Sequence, residues 1–224
     1  MHPDDTYALA HEGNELGKTE MWVVLHARPG AEIILGLRGG TTPDLFRRGI
    51  AEGTLDRYLH KIKVKAGDHI CVPSGSVHAI LDGLLIAEIQ QNSNTTYRVF
   101  DWNRTENGVP RTLHVDKAME VINFGMVEPR LPPVEVVSDN RGIRRSILCR
   151  NKYFTTEKVE LNAGAEFQHN LNGETFEIWG VMDGNVALNE VDLSTVEFTL
   201  LPAFLGRFTV SASKGAACLR VYVE

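Results

Sequence analysis

Five short strand-forming runs crowd into residues 63–101, at 63–65, 69–72, 77–81, 85–91 and 95–101. Between them stand Gly67-Asp68, Pro73-Ser74-Gly75 and Asp82-Gly83, each a turn signal. Parallel strands need a crossover of roughly a dozen residues, and these gaps leave no room for one. The rhythm therefore points to an antiparallel jelly roll or small barrel and away from a βαβ sheet. Two more strands are expected earlier, at 21–27 and 31–35, the first following a short helix that Pro3 and two aspartates would start. A helical insert follows: Thr42 can cap, Pro43 suits the first helical position, and Leu45, Phe46 and Ile50 have helical spacing. Leu55, Tyr58, Leu59 and Ile62 repeat that spacing.

After a predicted helix at 115–122, the proline-rich stretch 128–134 reads as a connector. The remainder is again β, with strands expected at 147–149, 154–161, 176–182, 196–201, 208–210 and 217–223. The expected fold class is mostly β: two jelly-roll β-sandwich domains, the first (1–127) carrying the small helical insert and the second (128–224) smaller and expected to be metal-free.

Composition limits the functional classes. With 43% hydrophobic and 23% charged residues, the 224-residue chain is neither disordered, collagen-like nor coiled coil. Its apolar runs are far shorter than the about 20 residues of a membrane helix, and no signal peptide is evident, so a cytoplasmic location is expected. A net charge of −6 without a basic run argues against nucleic acid as a partner. Cys71, Cys149 and Cys218 are odd in number and far apart, and are expected as reduced thiols.

The residues richest in chemistry follow the pattern G-x5-P-x-G-x2-H, from Gly67 through Pro73 and Gly75 to His78. Gly67 opens a strand, Pro73 and Gly75 shape a turn, and the next strand carries His78 inward. A neutral imidazole on a rigid strand is a good metal ligand. The pattern resembles the second motif of cupins, which hold a divalent metal inside a jelly roll. His2 and Glu20 are the candidate partners, since two histidines and a carboxylate suit Zn²⁺, Mn²⁺ or Fe²⁺ at a site with an open position. His11, His26, His60, His69 and His114 read as surface or turn residues, and Trp22 and Trp102 as core or pocket wall.

Four stretches taken together are more specific. These are His2-Pro3-Asp4-Asp5, Gly17-Lys18-Thr19-Glu20-Met21-Trp22, Pro73-Ser74-Gly75-Ser76-Val77-His78-Ala79, and residues 88–101, which include Thr95-Thr96-Tyr97-Arg98. In this order they resemble type I mannose-6-phosphate isomerase in its shorter bacterial form. The resemblance is strong to about residue 125 and weaker from 130 onward.

The resemblance implies a zinc-dependent aldose–ketose isomerase that interconverts mannose 6-phosphate and fructose 6-phosphate through an enediol. It implies one Zn²⁺ on His2, Glu20 and His78, and catalytic roles for Glu88 as base, Arg98 and Lys18. Lys18, Arg98 and Asn94 would contact the sugar phosphate. The family's fourth metal ligand, a glutamine two residues before the first histidine, would fall before Met1, so the chain reads as N-terminally truncated or as a short homologue. Asn94 stands where the family has an aspartate. An alternative reading is a non-catalytic cupin that binds a sugar phosphate. A third, an iron dioxygenase, is disfavoured by the Lys18–Glu20 spacing and the Thr-Thr-Tyr-Arg stretch.

Overall fold

A computed structural model describes residues 1–102 and 104–224. The structure is mostly β, and its strand pairings are antiparallel. Two compact units divide between Pro132 and Pro133, inside the proline-rich connector.

The first unit contains α1 (Asp5–His11), β1 (Glu20–Ala27), β2 (Glu32–Leu37), α2 (Pro43–Ala51), β3 (Leu59–Lys63), β4 (His69–Val72), β5 (His78–Ile80), β6 (Leu84–Gln90), the short β7 (Thr105–Glu106) and β8 (Val109–Pro110), and α3 (Val115–Val121). Two three-stranded sheets, ordered β4-β1-β6 and β3-β2-β5, carry the barrel. Alternation along the central strands decides what each face does. Trp22 and Val24 of β1 meet Ile33 and Leu35 of β2 and Ile70 and Val72 of β4 in one buried cluster. Ile34 and Leu37 turn the other way and pack with Phe46 of α2 and Ala118 of α3. The helical layer thus covers the outer face of β2. At α2, Thr42 caps the Leu45 N–H and Pro43 takes the first turn, as the sequence predicts.

Several local expectations are corrected. The first helix starts at Asp5, with Asp4 as its cap, so Pro3 lies outside it. Leu59 and Ile62 have helical spacing with Leu55 but belong to β3, paired with β2. Three residues apart on a strand, they face opposite sides, Leu59 in the cluster with the helical layer and Ile62 against the barrel cluster, and pairing with β2 satisfies the backbone. Residues 95–101 form no strand; their backbone bonds go to Met1 and His114 instead of a ladder. His69 is buried at 3% exposure, not a surface residue.

The second unit runs β9 (Glu135–Asn140), β10 (Ile143–Arg150), β11 (Thr155–Leu161), β12 (Glu166–Asn170), β13 (Glu177–Asp183), β14 (Asn185–Leu188), β15 (Val191–Ser194), β16 (Phe198–Leu201), β17 (Arg207–Ser211) and β18 (Ala216–Tyr222). A six-stranded sheet, β16-β13-β18-β11-β10-β9, and a four-stranded sheet, β12-β17-β14-β15, contribute to one apolar cluster that includes Val159, Phe167, Trp179, Val181, Phe208 and Cys218. Cys218 is a free thiol whose pKa burial pushes up to about 12. Among the described residues no helix is long and apolar enough to cross a membrane.

Continuing inward along the same faces, the second unit buries charge. Arg220 donates from Nε to Glu177 Oε2 at 2.8 Å and from Nη2 to Glu177 Oε1, and its Nη1 lies 3.4 Å from Glu157 Oε2. Glu157 also accepts from Arg145 Nη2 at 2.6 Å and from the Tyr222 hydroxyl at 2.9 Å. Removing one partner of such a network leaves an uncompensated buried charge. Arg220→Ala is expected to destabilise the second unit by about 3–5 kcal/mol, read as an earlier transition in urea unfolding of the full chain.

Candidate metal centre

Three elements bring His2, Glu20 and His78 together, with one donor atom from each lying within 4.8 Å of the others. Glu20 opens β1 on the face that Trp22 and Val24 turn into the barrel. His78 opens β5 on the opposing sheet, where it pairs with Leu35. His2 precedes α1 and is held by its neighbours' backbone: Gly75 N–H donates to the His2 carbonyl at 2.8 Å and Tyr97 N–H to the Met1 carbonyl at 2.9 Å. Gly75 has φ +81°, and a Cβ there would lie 2.8 Å from the Val121 carbonyl oxygen. Only glycine fits this turn, which explains its place in the pattern before His78.

The side-chain geometry leaves three lone pairs converging. His2 Nδ1 donates to the Thr95 carbonyl at 2.7 Å, and His78 Nδ1 donates to the Ser76 carbonyl at 3.0 Å. These bonds assign the proton of each neutral ring to Nδ1 and leave Nε2 as an acceptor. Yet the two Nε2 atoms are 3.2 Å apart. His2 Nε2 is 3.0 Å from Glu20 Oε1 and His78 Nε2 is 3.7 Å from Glu20 Oε2. Three acceptors facing one another repel unless a proton or a cation sits between them.

Burial lowers the pKa of His2, and lowers that of His78 far below 6.5, which disfavours a ring proton. Burial would raise the Glu20 carboxyl, but the Lys18 ammonium, 2.6 Å from its Oε1, helps hold it below the usual range. The group is thus two neutral imidazoles and one carboxylate. Donors bound tetrahedrally at about 2.0–2.1 Å lie about 3.3 Å apart, close to the separations here. The set suits a divalent transition metal.

Lys18, just before β1, Glu88 on β6 and Arg98, in the loop that follows β6, lie around this centre. Lys18 Nζ is 2.6 Å from Glu20 Oε1 and 3.5 Å from Glu88 Oε1. Glu88 stands opposite Trp22 in the β1–β6 register, on the face where Leu84 and Ile86 join the barrel cluster. Burial and the nearby Glu20 carboxylate raise its pKa. Arg98 is clipped to His114 by the His114 N–H to Arg98 carbonyl bond at 2.7 Å. It lines a cleft of about 200 Å³ together with His2, His78, Trp102, Arg104 and Arg111. Asp101 pairs with Arg111, lies 3.1 Å from Arg104 and 3.9 Å from Arg98, so three guanidinium groups share one carboxylate. Asn94 is exposed, and among the described residues its side chain has no hydrogen bond to this group.

Sequence reasoning had no signal for Thr95 and Ser76, which act through backbone carbonyls, or for Asp101, Arg104 and Arg111.

Comparison with known proteins comes from relatives and structures, since no family model matches the chain. The chain is 36% identical over 219 residues to the probable mannose-6-phosphate isomerase GmuF of Bacillus subtilis, covering 95% of this chain and 67% of GmuF. It is 42% identical over 169 residues to the mannose-6-phosphate isomerase of Streptococcus mutans, covering 75% of this chain and 52% of that protein. It is similar to the crystal structure of the mannose 6-phosphate isomerase from Bacillus subtilis, with TM-score 0.85 and 34% identity, covering all of this chain and 70% of that one. The chain therefore spans between about half and about two thirds of the length of these curated relatives.

The centre makes two outcomes measurable. The chain should take up close to one equivalent of Zn²⁺ or Co²⁺ in a titration, and His78→Ala should bind at least about tenfold more weakly. In the metal-free protein, unfolded histidines gain protons as pH falls through about 6.5 while His2 and His78 stay neutral in the fold. The unfolded state then binds more protons, so the melting temperature should fall between pH 7.5 and 5.5, and less steeply in His78→Ala.

Proposed function

The chain belongs to the mannose-6-phosphate isomerase family, and we propose from that premise that it interconverts mannose 6-phosphate and fructose 6-phosphate with a zinc ion held by His2, Glu20 and His78. The observation that carries the reading is the converging triad with Lys18 and Glu88 beside it, in a chain 36% identical to a probable isomerase. The cytoplasm is the corresponding location.

The reaction moves a proton between C2 and C1 of the sugar and passes through an enediol. It needs a base that can reach both carbons and a positive group near the developing oxyanion. Glu88 is the base in this reading. Its pKa, raised by burial and by Glu20, brings the carboxylate closer to the basicity that proton abstraction and return both require. Lys18 bridges Glu20 and Glu88 and supplies a cation where negative charge develops. When bound, zinc would polarise the sugar oxygens as a Lewis acid.

Arg98 enters the same cleft as His2 and His78, and its planar fork suits a phosphate or an enediolate. With three guanidinium groups around one carboxylate, this side of the cleft favours an anionic substrate. Asn94, in the same segment, would serve as an outer contact to the sugar phosphate.

A coupled assay on the full zinc-loaded chain with mannose 6-phosphate tests the proposal. Turnover is expected, abolished in His78→Ala and reduced about 10²–10⁴-fold in Glu88→Gln with zinc content unchanged. A folded, zinc-loaded chain that binds mannose 6-phosphate without converting it would overturn catalysis and leave a sugar-phosphate-binding protein.

A further inference from the structure

We propose that Gln91 and Asp5 are positioning residues that hold the backbone around Lys18, so that its ammonium group lies between Glu20 and Glu88. The inference rests on the role given to Lys18 above, and its geometry stands independently of that role.

Lys18 lies just before β1, where the strand ladder has not begun, so sheet pairing does not place it. Each backbone N–H of residues 17–19 is instead taken up individually. Gly17 N–H donates to Asp5 Oδ1 at 3.0 Å. Lys18 N–H donates to the Pro3 carbonyl at 3.1 Å. Thr19 N–H donates to Gln91 Oε1 at 2.7 Å. Gln91 closes the loop, because its Nε2 donates to the same Asp5 Oδ1 at 3.0 Å and its own N–H donates to the Thr19 carbonyl at 3.1 Å.

The clamp lies close to the chain and away from water. Gln91 is 7% exposed. A Cβ on Gly17 would stand 2.4 Å from the Asp4 carbonyl carbon and 2.5 Å from the Asp5 nitrogen, so this close approach admits only glycine. With the backbone held on both sides, the four-carbon stem of Lys18 has a short distance to cover, and the side chain is 12% exposed. The chemistry of the clamp calls for an amide. One end must accept from Thr19 N–H while the other donates to the Asp5 carboxylate. A glutamate at 91 would set two carboxylates against each other, and a leucine would leave the Thr19 N–H without its acceptor in a part-buried place.

The test uses the full zinc-loaded chain and reads hydrogen exchange and kinetics together. In Gln91→Leu and Gln91→Glu, the amides of residues 17–19 should exchange at least about tenfold faster, while those of 21–24 inside β1 keep their rates. Adding Asp5→Asn to Gln91→Glu returns a donor opposite the new carboxylate and should restore protection of Thr19. Gln91→Leu should lower kcat about 10–100-fold, the scale of a catalytic group misplaced by about 1 Å. In a Lys18→Ala background the same substitution should cost less than about twofold, because its target is gone. Undiminished protection of 17–19 in Gln91→Leu would overturn the proposal. So would a kcat loss that multiplies in full over Lys18→Ala, which marks a general structural role. If the unsubstituted chain shows no turnover, the isomerase reading fails, and the exchange pattern alone decides whether the clamp exists.

Discussion

Mutual repulsion among three buried acceptors is the constraint around which the first unit is organised. Two imidazole nitrogens and a carboxylate, each with its proton assigned elsewhere or lost, face one point from two opposed sheets and an N-terminal segment. Nothing in their own hydrogen bonding draws them together. The surrounding structure does so: the apolar cluster of Trp22, Val24, Ile33, Leu35, Ile70 and Val72 sets the distance between the sheets. The backbone bonds of Gly75 and Tyr97 hold the segment that carries His2. An arrangement that stores repulsion in a desolvated place is a pre-organised cation site, because a cation gains what the empty donors lose.

The second unit handles buried charge in the opposite way. Glu177 on β13 and Glu157 on β11, the two strands that flank β18, also bury their side chains, and both meet Arg220 of β18. Their negative charge is met from within the chain by Arg220 and Arg145, with the Tyr222 hydroxyl donating to Glu157 Oε1 and the Trp179 N–H to Glu177 Oε2. Such a network has little valence left for a ligand. Two β units of similar construction thus differ in whether the protein itself completes the polar end of the interior. This contrast gives a physical basis for placing chemistry in the first unit.

Much of this was legible in the chain because it rests on local rules. The spacing from Gly67 to His78 encodes a strand, a turn that requires glycine, and an inward histidine, and the structure has all three. Thr42 and Pro43 mark the start of α2. Elsewhere local rules were ambiguous. Leu59 and Ile62 satisfy helical spacing with Leu55, and only β2 as a neighbour makes them a strand. The exposed edge strand β9 and the polar β12 lack the apolar alternation that would reveal them. Residues 95–101 have strand composition, yet no strand lies alongside to pair with them.

By itself, then, the sequence determined the β class, the motif turns and the helical insert. These follow from short-range spacing, capping and turn chemistry, which act within a few residues. Only the tertiary structure decided that the triad's three free lone pairs converge, that Lys18 lies between two carboxylates, and that Asp5 and Gln91, 86 residues apart, share one hydrogen bond. Each of these depends on which distant segments the packed sheets bring within about 3 Å, the range over which hydrogen bonds act.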